Sequence, residues 1–175
     1  MDDFWVFGYG SLMWRPGFDF IEKQRAQLYG YRRTLCILSY VHRGTPEDPG
    51  LVLGLDRGGS CSGVAFKVAA NHGEDVMAYL RSRELTTNVY LERMGQIQLS
   101  DKSRVQAYCY VADTNHIQYA PHITIDRAVE VVQHAKGQSG VNTEYVCSTV
   151  EHLRTMNLKD AWLEEVADRL VIDKV

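Results

Sequence analysis

The sequence lacks the short patterns that mark several large protein classes. It has no C-x-x-C pair, no H-E-x-x-H, no G-x-x-x-x-G-K-[ST] and no G-x-S-x-G. Sequence support for a zinc site, a P-loop and a hydrolase nucleophile elbow is therefore missing. The 6 histidines, His42, His72, His116, His122, His134 and His152, never stand at ligand spacing to a cysteine, so no metal is expected. A catalytic triad assembled in space stays open, because such residues converge without a shared spacing. The 4 cysteines, Cys36, Cys61, Cys109 and Cys147, are scattered singly through apolar stretches. They read as small buried hydrophobes of a reduced, cytoplasmic chain. No stretch approaches the roughly 18 consecutive apolar residues of a membrane helix. The start, Met1-Asp2-Asp3, is acidic where a secretory signal is basic, which supports the cytoplasmic expectation. With 19 Lys+Arg against 22 Asp+Glu the formal charge is -3, and neither a nucleic-acid nor an anionic-membrane partner is expected. Nothing in the pattern specifies an oligomeric state.

What remains is 175 residues, 45% hydrophobic and 23% charged, without repeats or low-complexity tracts. That is enough chain for one domain, expected over 1–175, with its own core. Phe4 to Tyr9 reads as a central strand apolar on both faces, followed by a loop from Gly10 to Pro16. Ala26 to Leu38 reads as a second strand, and Tyr40 to Gly50 as the longest loop. Leu51 to Asp56 and Cys61 to Val68 read as a β-hairpin turning at Arg57-Gly58-Gly59-Ser60, and Val89 to Leu99 with Arg104 to Val111 as another strand pair. Helical periods cover Gly73 to Glu84 and Ile125 to Ala135, the latter with Gly137 as C-cap. A third helix is expected at Asn142, as N-cap, with Val141 and Val146 as a hydrophobic staple. A last one follows from about Leu158, with Leu163, Val166, Ala167 and Leu170 inward. Early strands and late helices give an α+β class: a partly closed antiparallel sheet or barrel surrounded by helices.

Two features carry chemistry. Gly8-x-Gly10 follows a strand, but Met13 stands where a dinucleotide fingerprint has its third glycine and Pro16 blocks the helix, so no nucleotide cofactor is expected. Tyr9-Gly10-Ser11-Leu12 is instead a loop at the end of a buried strand. Its glycine admits left-handed backbone or close approach of a ligand, and its successive N–H groups suit an anion; an ordinary turn fits equally well. The second feature is Glu84, which continues the stripe of Val76 and Leu80 at i, i+4 and i+8. It is either a desolvated general acid or base or an exposed residue at a helix end. Adjacent Arg83 points about 100° away around the helix and reads as a solvent or ligand contact rather than the direct partner of Glu84.

Beyond these residues, five segments occur together. They are Phe7-Gly8-Tyr9-Gly10-Ser11-Leu12-Met13-Trp14; Ser39 with His42-Arg43-Gly44-Thr45-Pro46 and Pro49-Gly50; Gly63-Val64-Ala65-Phe66; Tyr79-Leu80 followed by Arg83-Glu84; and Gly137 to Tyr145. In this order and spacing the chain resembles the ChaC-like γ-glutamylcyclotransferases from Val6 to about Tyr145. One departure is Leu85 to Tyr90, where some members carry a Gly-Gly pair after Arg-Glu. The resemblance implies cleavage of glutathione by attack of its γ-glutamyl amine on its own γ-carbonyl, giving 5-oxoproline and cysteinylglycine without a cofactor. It also implies catalysis by Glu84 and substrate binding by Tyr9, Gly10, Ser11 and Leu12, with Ser39, Arg43 and Tyr145 as further contacts. Two alternatives stand beside it. One is a non-catalytic binding or regulatory protein on the same fold, in line with the family's older cation-transport label, and the other a cyclotransferase for another γ-glutamyl amine or dipeptide.

Overall fold

The computed structural model describes residues 2–172; Met1 of the acidic start lies outside them. The chain order is β1 (Phe4–Gly8), β2 (Glu22–Ser39), β3 (Gly50–Val68), α1 (Gly73–Glu84), β4 (Tyr90–Leu99), β5 (Arg104–Ala112), α2 (Ile125–His134), β6 (Lys136–Gly137), β7 (Gly140–Val141), α3 (Asn142–Thr155) and α4 (Ala161–Ile172). The class is α+β, and β1, β3, β2, β4 and β5 close a barrel in that order. The described residues group into two compact units, one of 2–33 and 55–113, the other of 34–54 and 114–172.

In the first unit, β1 is central as expected, antiparallel to β3 from Phe4↔Val68 to Gly8↔Val64 and parallel to β5 at Trp5↔Ala107 and Val6↔Tyr108. That parallel seam closes the sheet, which the sequence pattern left partly open and wholly antiparallel. Alternation along β1 explains its apolar character on both faces. Phe7 joins Leu28, Leu55, Ile97 and Cys109 in one core, while Val6 joins Val76, Met77 and Leu80 of α1 in another. Gly63 of β3 lies against the Gly8 carbonyl and the Phe7 ring, leaving no room for a Cβ. The pair β4–β5 runs antiparallel from Tyr90↔Ala112 to Gln98↔Arg104, as read from the sequence.

The expected hairpin at Arg57 to Ser60 does not form. Gly58 and Gly59 take φ of +96° and +68°, as a tight turn would, yet β3 continues through them. Glycines inside a strand mark a bend as readily as a turn, and here the Arg32 side chain packs over both.

In the second unit, the far end of β2 pairs with an irregular segment, Ala120 N–H donating to Cys36 O and Leu38 N–H to Gln118 O. Helices α2, α3 and α4 pack on one another, with Leu163, Val166, Ala167 and Leu170 buried as predicted. Three terminal signals were misassigned. The C-cap of α2 is Ala135; Gly137 sits in β6 against the backbone of Val41, His42 and Arg43, where a side chain cannot fit. The N-cap of α3 is Val141, and fully buried Asn142 instead accepts from Leu51 N–H at 2.7 Å and donates to Leu51 O at 2.8 Å. No staple covers Val141, which is exposed while Val146 is buried. The cap the sequence reading passed over is Thr124, whose hydroxyl accepts from Arg127 N–H at 3.2 Å.

Candidate active site

After β1 the chain makes a single 3-10 turn over Ser11–Met13 inside the segment read as a plain loop. Its buried Leu12 and Met13 pin it to the core. Met13 N–H donates to Gly10 O at 2.9 Å and Arg15 N–H to Ser11 O at 2.8 Å. The N–H groups of Ser11 and Leu12, which open the turn, are not used by the turn's own bonds. Gly10 has φ -132° and ψ -136°, so it does not supply the left-handed backbone allowed for above; what it offers is the absence of a side chain. The Tyr9 carbonyl is fixed from below by Arg33, which is 6% exposed and donates from Nε to Tyr9 O at 2.7 Å and from Nη2 to Ser62 O at 2.6 Å. Sequence reasoning missed Arg33 entirely.

Helix α1 brings Glu84 to the same unit. Leu80, one turn earlier, is fully buried, and the Glu84 side chain keeps 21% of its surface. The carboxyl is therefore neither a core group nor a freely solvated one. Burial raises its pKa above the ordinary carboxylate value, and the Arg83 charge pulls it part of the way back. Arg83 Nε lies 3.3 Å from Glu84 Oε1, which corrects the reading of Arg83 as a solvent or ligand contact. A guanidinium presents donors on several edges. One edge meets Glu84, while Nη1 reaches Arg15 O at 2.7 Å, Pro16 O at 3.2 Å and Tyr79 Oη at 3.0 Å. Nη2 reaches Ser11 Oγ at 2.9 Å. The loop and the helix end are thus joined through one side chain.

A second carboxylate nearby in the sequence behaves oppositely. Glu92 of β4 accepts from Arg81 Nε at 2.9 Å and Nη2 at 2.8 Å and from Tyr110 Oη at 3.1 Å. The Arg81 hydrogen bond, ahead of every other influence, holds its pKa below the ordinary value. Of the two, Glu84 is the one whose surroundings favour the protonated form. Where the resemblance noted a missing Gly-Gly pair, Asn88 adopts φ +55°, and Asn tolerates that region better than most residues.

The remaining residues named from the sequence lie in the second unit. Ser39 is buried and its Oγ accepts from Arg43 N–H at 2.9 Å. Arg43 Nη1 donates to Val141 O at 3.1 Å, and its guanidinium stands 5.6 Å from the Tyr145 ring centre. Tyr145 Oη accepts from Leu53 N–H at 3.0 Å. Within that unit Ser39, Arg43 and Tyr145 are brought together around the loop after β2. The first unit likewise assembles Tyr9, Gly10, Ser11, Leu12 and Glu84.

A family model described as ChaC-like protein matches residues 4–172. The chain belongs to the ChaC-like family. A glutathione-specific γ-glutamylcyclotransferase of Escherichia coli K12 is 32% identical over 162 residues, covering 93% of this chain and 70% of the relative. The γ-glutamylcyclotransferase 2-3 of Arabidopsis thaliana is 32% identical over 175 residues, covering 95% and 87%. A crystal structure of the yeast γ-glutamyl cyclotransferase specific to glutathione superposes with a TM-score of 0.85 at 21% identity, over 97% of this chain and 96% of that one. It shares the fold of this ChaC-like protein.

Proposed function

We propose that this protein cyclises the γ-glutamyl group of glutathione, releasing 5-oxoproline and cysteinylglycine, with Glu84 as general base and then general acid. The observation that carries the reading is a partly buried carboxyl of raised pKa tied through Arg83 to Ser11 of the glycine loop. The names of the relatives from E. coli and other organisms support the substrate. The reaction is intramolecular, so folding the substrate into a near-attack geometry supplies much of the rate. Ionised Glu84 takes a proton from the substrate ammonium, and the freed amine attacks the γ-carbonyl carbon. The Ser11 and Leu12 N–H groups donate to the oxyanion that develops. Protonated Glu84 then returns the proton to the cysteinyl nitrogen as its bond to the γ-carbon breaks, and the second proton of the attacking nitrogen passes through solvent to the released amine, which leaves as an ammonium. Tyr9 and Gly10 complete the loop that receives the glutamyl head.

Ser39, Arg43 and Tyr145 stay proposed as further substrate contacts on the strength of the resemblance, Arg43 offering its guanidinium to a carboxylate. The family model runs through both units, which supports treating 1–175 as one γ-glutamylcyclotransferase-like domain. A cytoplasmic location belongs to the same proposal: Cys36, Cys61, Cys109 and Cys147 are scattered singly along the chain without a C-x-x-C pair, as suits a reducing compartment. No helix among the described residues is long and apolar enough to cross a membrane.

Incubation of the purified protein with glutathione is expected to yield 5-oxoproline and cysteinylglycine in equal amounts, with or without a chelator. Activity lost to the chelator and restored by a divalent metal, or turnover only of other γ-glutamyl amines, would count against the reading. Gly10→Val is expected to weaken binding of a non-cyclising glutathione analogue and turnover together, because the added branch occupies the side from which the ligand approaches. Titration calorimetry measures it, and unchanged affinity in the folded variant contradicts the loop's role.

A further inference from the structure

Arg83 joins the loop to the end of α1, and nothing above assigns it a part in the proton transfer. One guanidinium bonds Arg15 O, Pro16 O and Ser11 Oγ on the loop and Tyr79 Oη on its own helix, and ion-pairs with Glu84. We propose that Arg83 is a positioning residue that couples the conformation of the Ser11–Pro16 segment to the ionisation of Glu84. The proposal deepens the cyclotransferase reading and rests on it for its functional meaning, but its physical content does not.

The geometry makes the two tasks inseparable. If the segment swings away, Arg83 loses three of its acceptors and its fork is free to rotate away from Glu84. If Glu84 takes up a proton, the ion pair weakens and the guanidinium is held by the loop alone. A loop closed on a bound ligand thus favours the charged carboxylate that can accept a proton. The tight fit around the segment supports the coupling: Gly17 has φ +75° and lies against the Tyr79 hydroxyl, which itself accepts from Arg83. Arg83 of α1 contacts Glu84 directly, and Tyr110 of β5, whose own pKa is raised chiefly by burial, then by Glu92, and in part by Glu84, interacts with it electrostatically; Arg81 and Glu92 are paired with each other. Arg83 is the cation in direct contact with the Glu84 carboxylate.

The test reads Glu84 and the loop without turnover. The side-chain carboxyl carbon of Glu84 is titrated by NMR, and amide hydrogen exchange is followed at Met13, Trp14 and Arg15, whose N–H groups are bonded within the turn, in wild type, Arg83→Met and Arg83→Lys. In Arg83→Met, Glu84 is expected to titrate at higher pH, because burial is then unopposed, and the three amides to exchange faster. In Arg83→Lys, the retained charge keeps the titration near that of wild type, while loss of the forked contacts leaves exchange fast. Should Arg83→Met not fold, Arg83→Gln serves as the neutral variant. An unchanged titration in the neutral variant, or unchanged exchange in both variants, overturns the proposal, since it requires one side chain to do both. Kinetics with glutathione add a separate arm: a loss in kcat/KM on the order of 10²-fold for Arg83→Lys, as misplaced reacting groups produce, with the acidic limb of the pH profile unmoved. A wild-type protein that makes no 5-oxoproline while the NMR and exchange results hold would sink the cyclotransferase reading and leave the coupling standing.

Discussion

Glu84→Gln is expected to keep the fold and bind substrate while losing about 10²- to 10⁴-fold of the cyclisation rate, the usual contribution of a general acid-base group. The amide has almost the shape of the carboxyl and still presents an oxygen to Arg83, but it cannot take the ammonium proton. Stability distinguishes this from damage. Because burial holds the Glu84 pKa above its ordinary value, the native state binds that proton more tightly than the unfolded chain. Stability therefore falls as pH rises from the ordinary carboxylate range through the native value. Gln removes that slope. At neutral pH the variant should melt at or above the wild-type temperature, and the difference should shrink as the pH is lowered below the ordinary carboxylate range. Rates of 5-oxoproline formation at equal folded concentration, with melting curves at two pH values, measure both. Near wild-type turnover would remove Glu84 from the mechanism and leave the proton transfer to another group.

Much of the fold was legible because local pattern and tertiary placement agree. Strand β1 reads as buried on both faces, and it is: its alternate residues feed two separate cores. The helix Gly73–Glu84 was legible to its last residue. Misreadings occurred where a residue suited to a local task was taken by a distant partner. Asn142 looks like a cap, but the Leu51 backbone 91 residues away uses its amide. Gly137 looks like a helix stop, but its need for no side chain comes from the chain around His42. Gly58 and Gly59 have the conformations of a turn without the reversal. Period and propensity carry no information about such long-range demands.

The site divides along the same line. Glu84 could be singled out from the stripe of Val76 and Leu80, since burial follows from periodicity. Which side of the alternative held depended on how much of it the fold covers. The Arg83 contacts could not be read, since three of its five partners lie 67 to 72 positions away and two of them are main-chain carbonyls. A carbonyl acceptor leaves no mark on the sequence, because every residue has one.

Arg33 is the extreme case, and its removal is expected to have the other large effect. It is a nearly buried cation that donates to the carbonyls of Tyr9 and Ser62. Hydrogen bonds to a charged group are worth about 1.5–3 kcal/mol each. Arg33→Met fills a similar volume but makes neither bond, and leaves both carbonyls to find other donors. We expect a loss of about 3 kcal/mol in stability, read by urea unfolding. The Tyr9 carbonyl is also the last fixed point of the chain before Gly10, so the Ser11 and Leu12 N–H groups lose their aim with it. A drop in kcat/KM on the order of 10²-fold should accompany the destabilisation even where the variant is fully folded. Arg33→Lys separates the two effects: its single ammonium can satisfy one carbonyl well, so it should recover part of the stability and less of the rate. If Arg33→Met lost stability but cyclised glutathione as fast as wild type at low temperature, the loop would hold its geometry without that anchor. The oxyanion role of Ser11 and Leu12 would then have to rest on the 3-10 turn and on Arg83 alone.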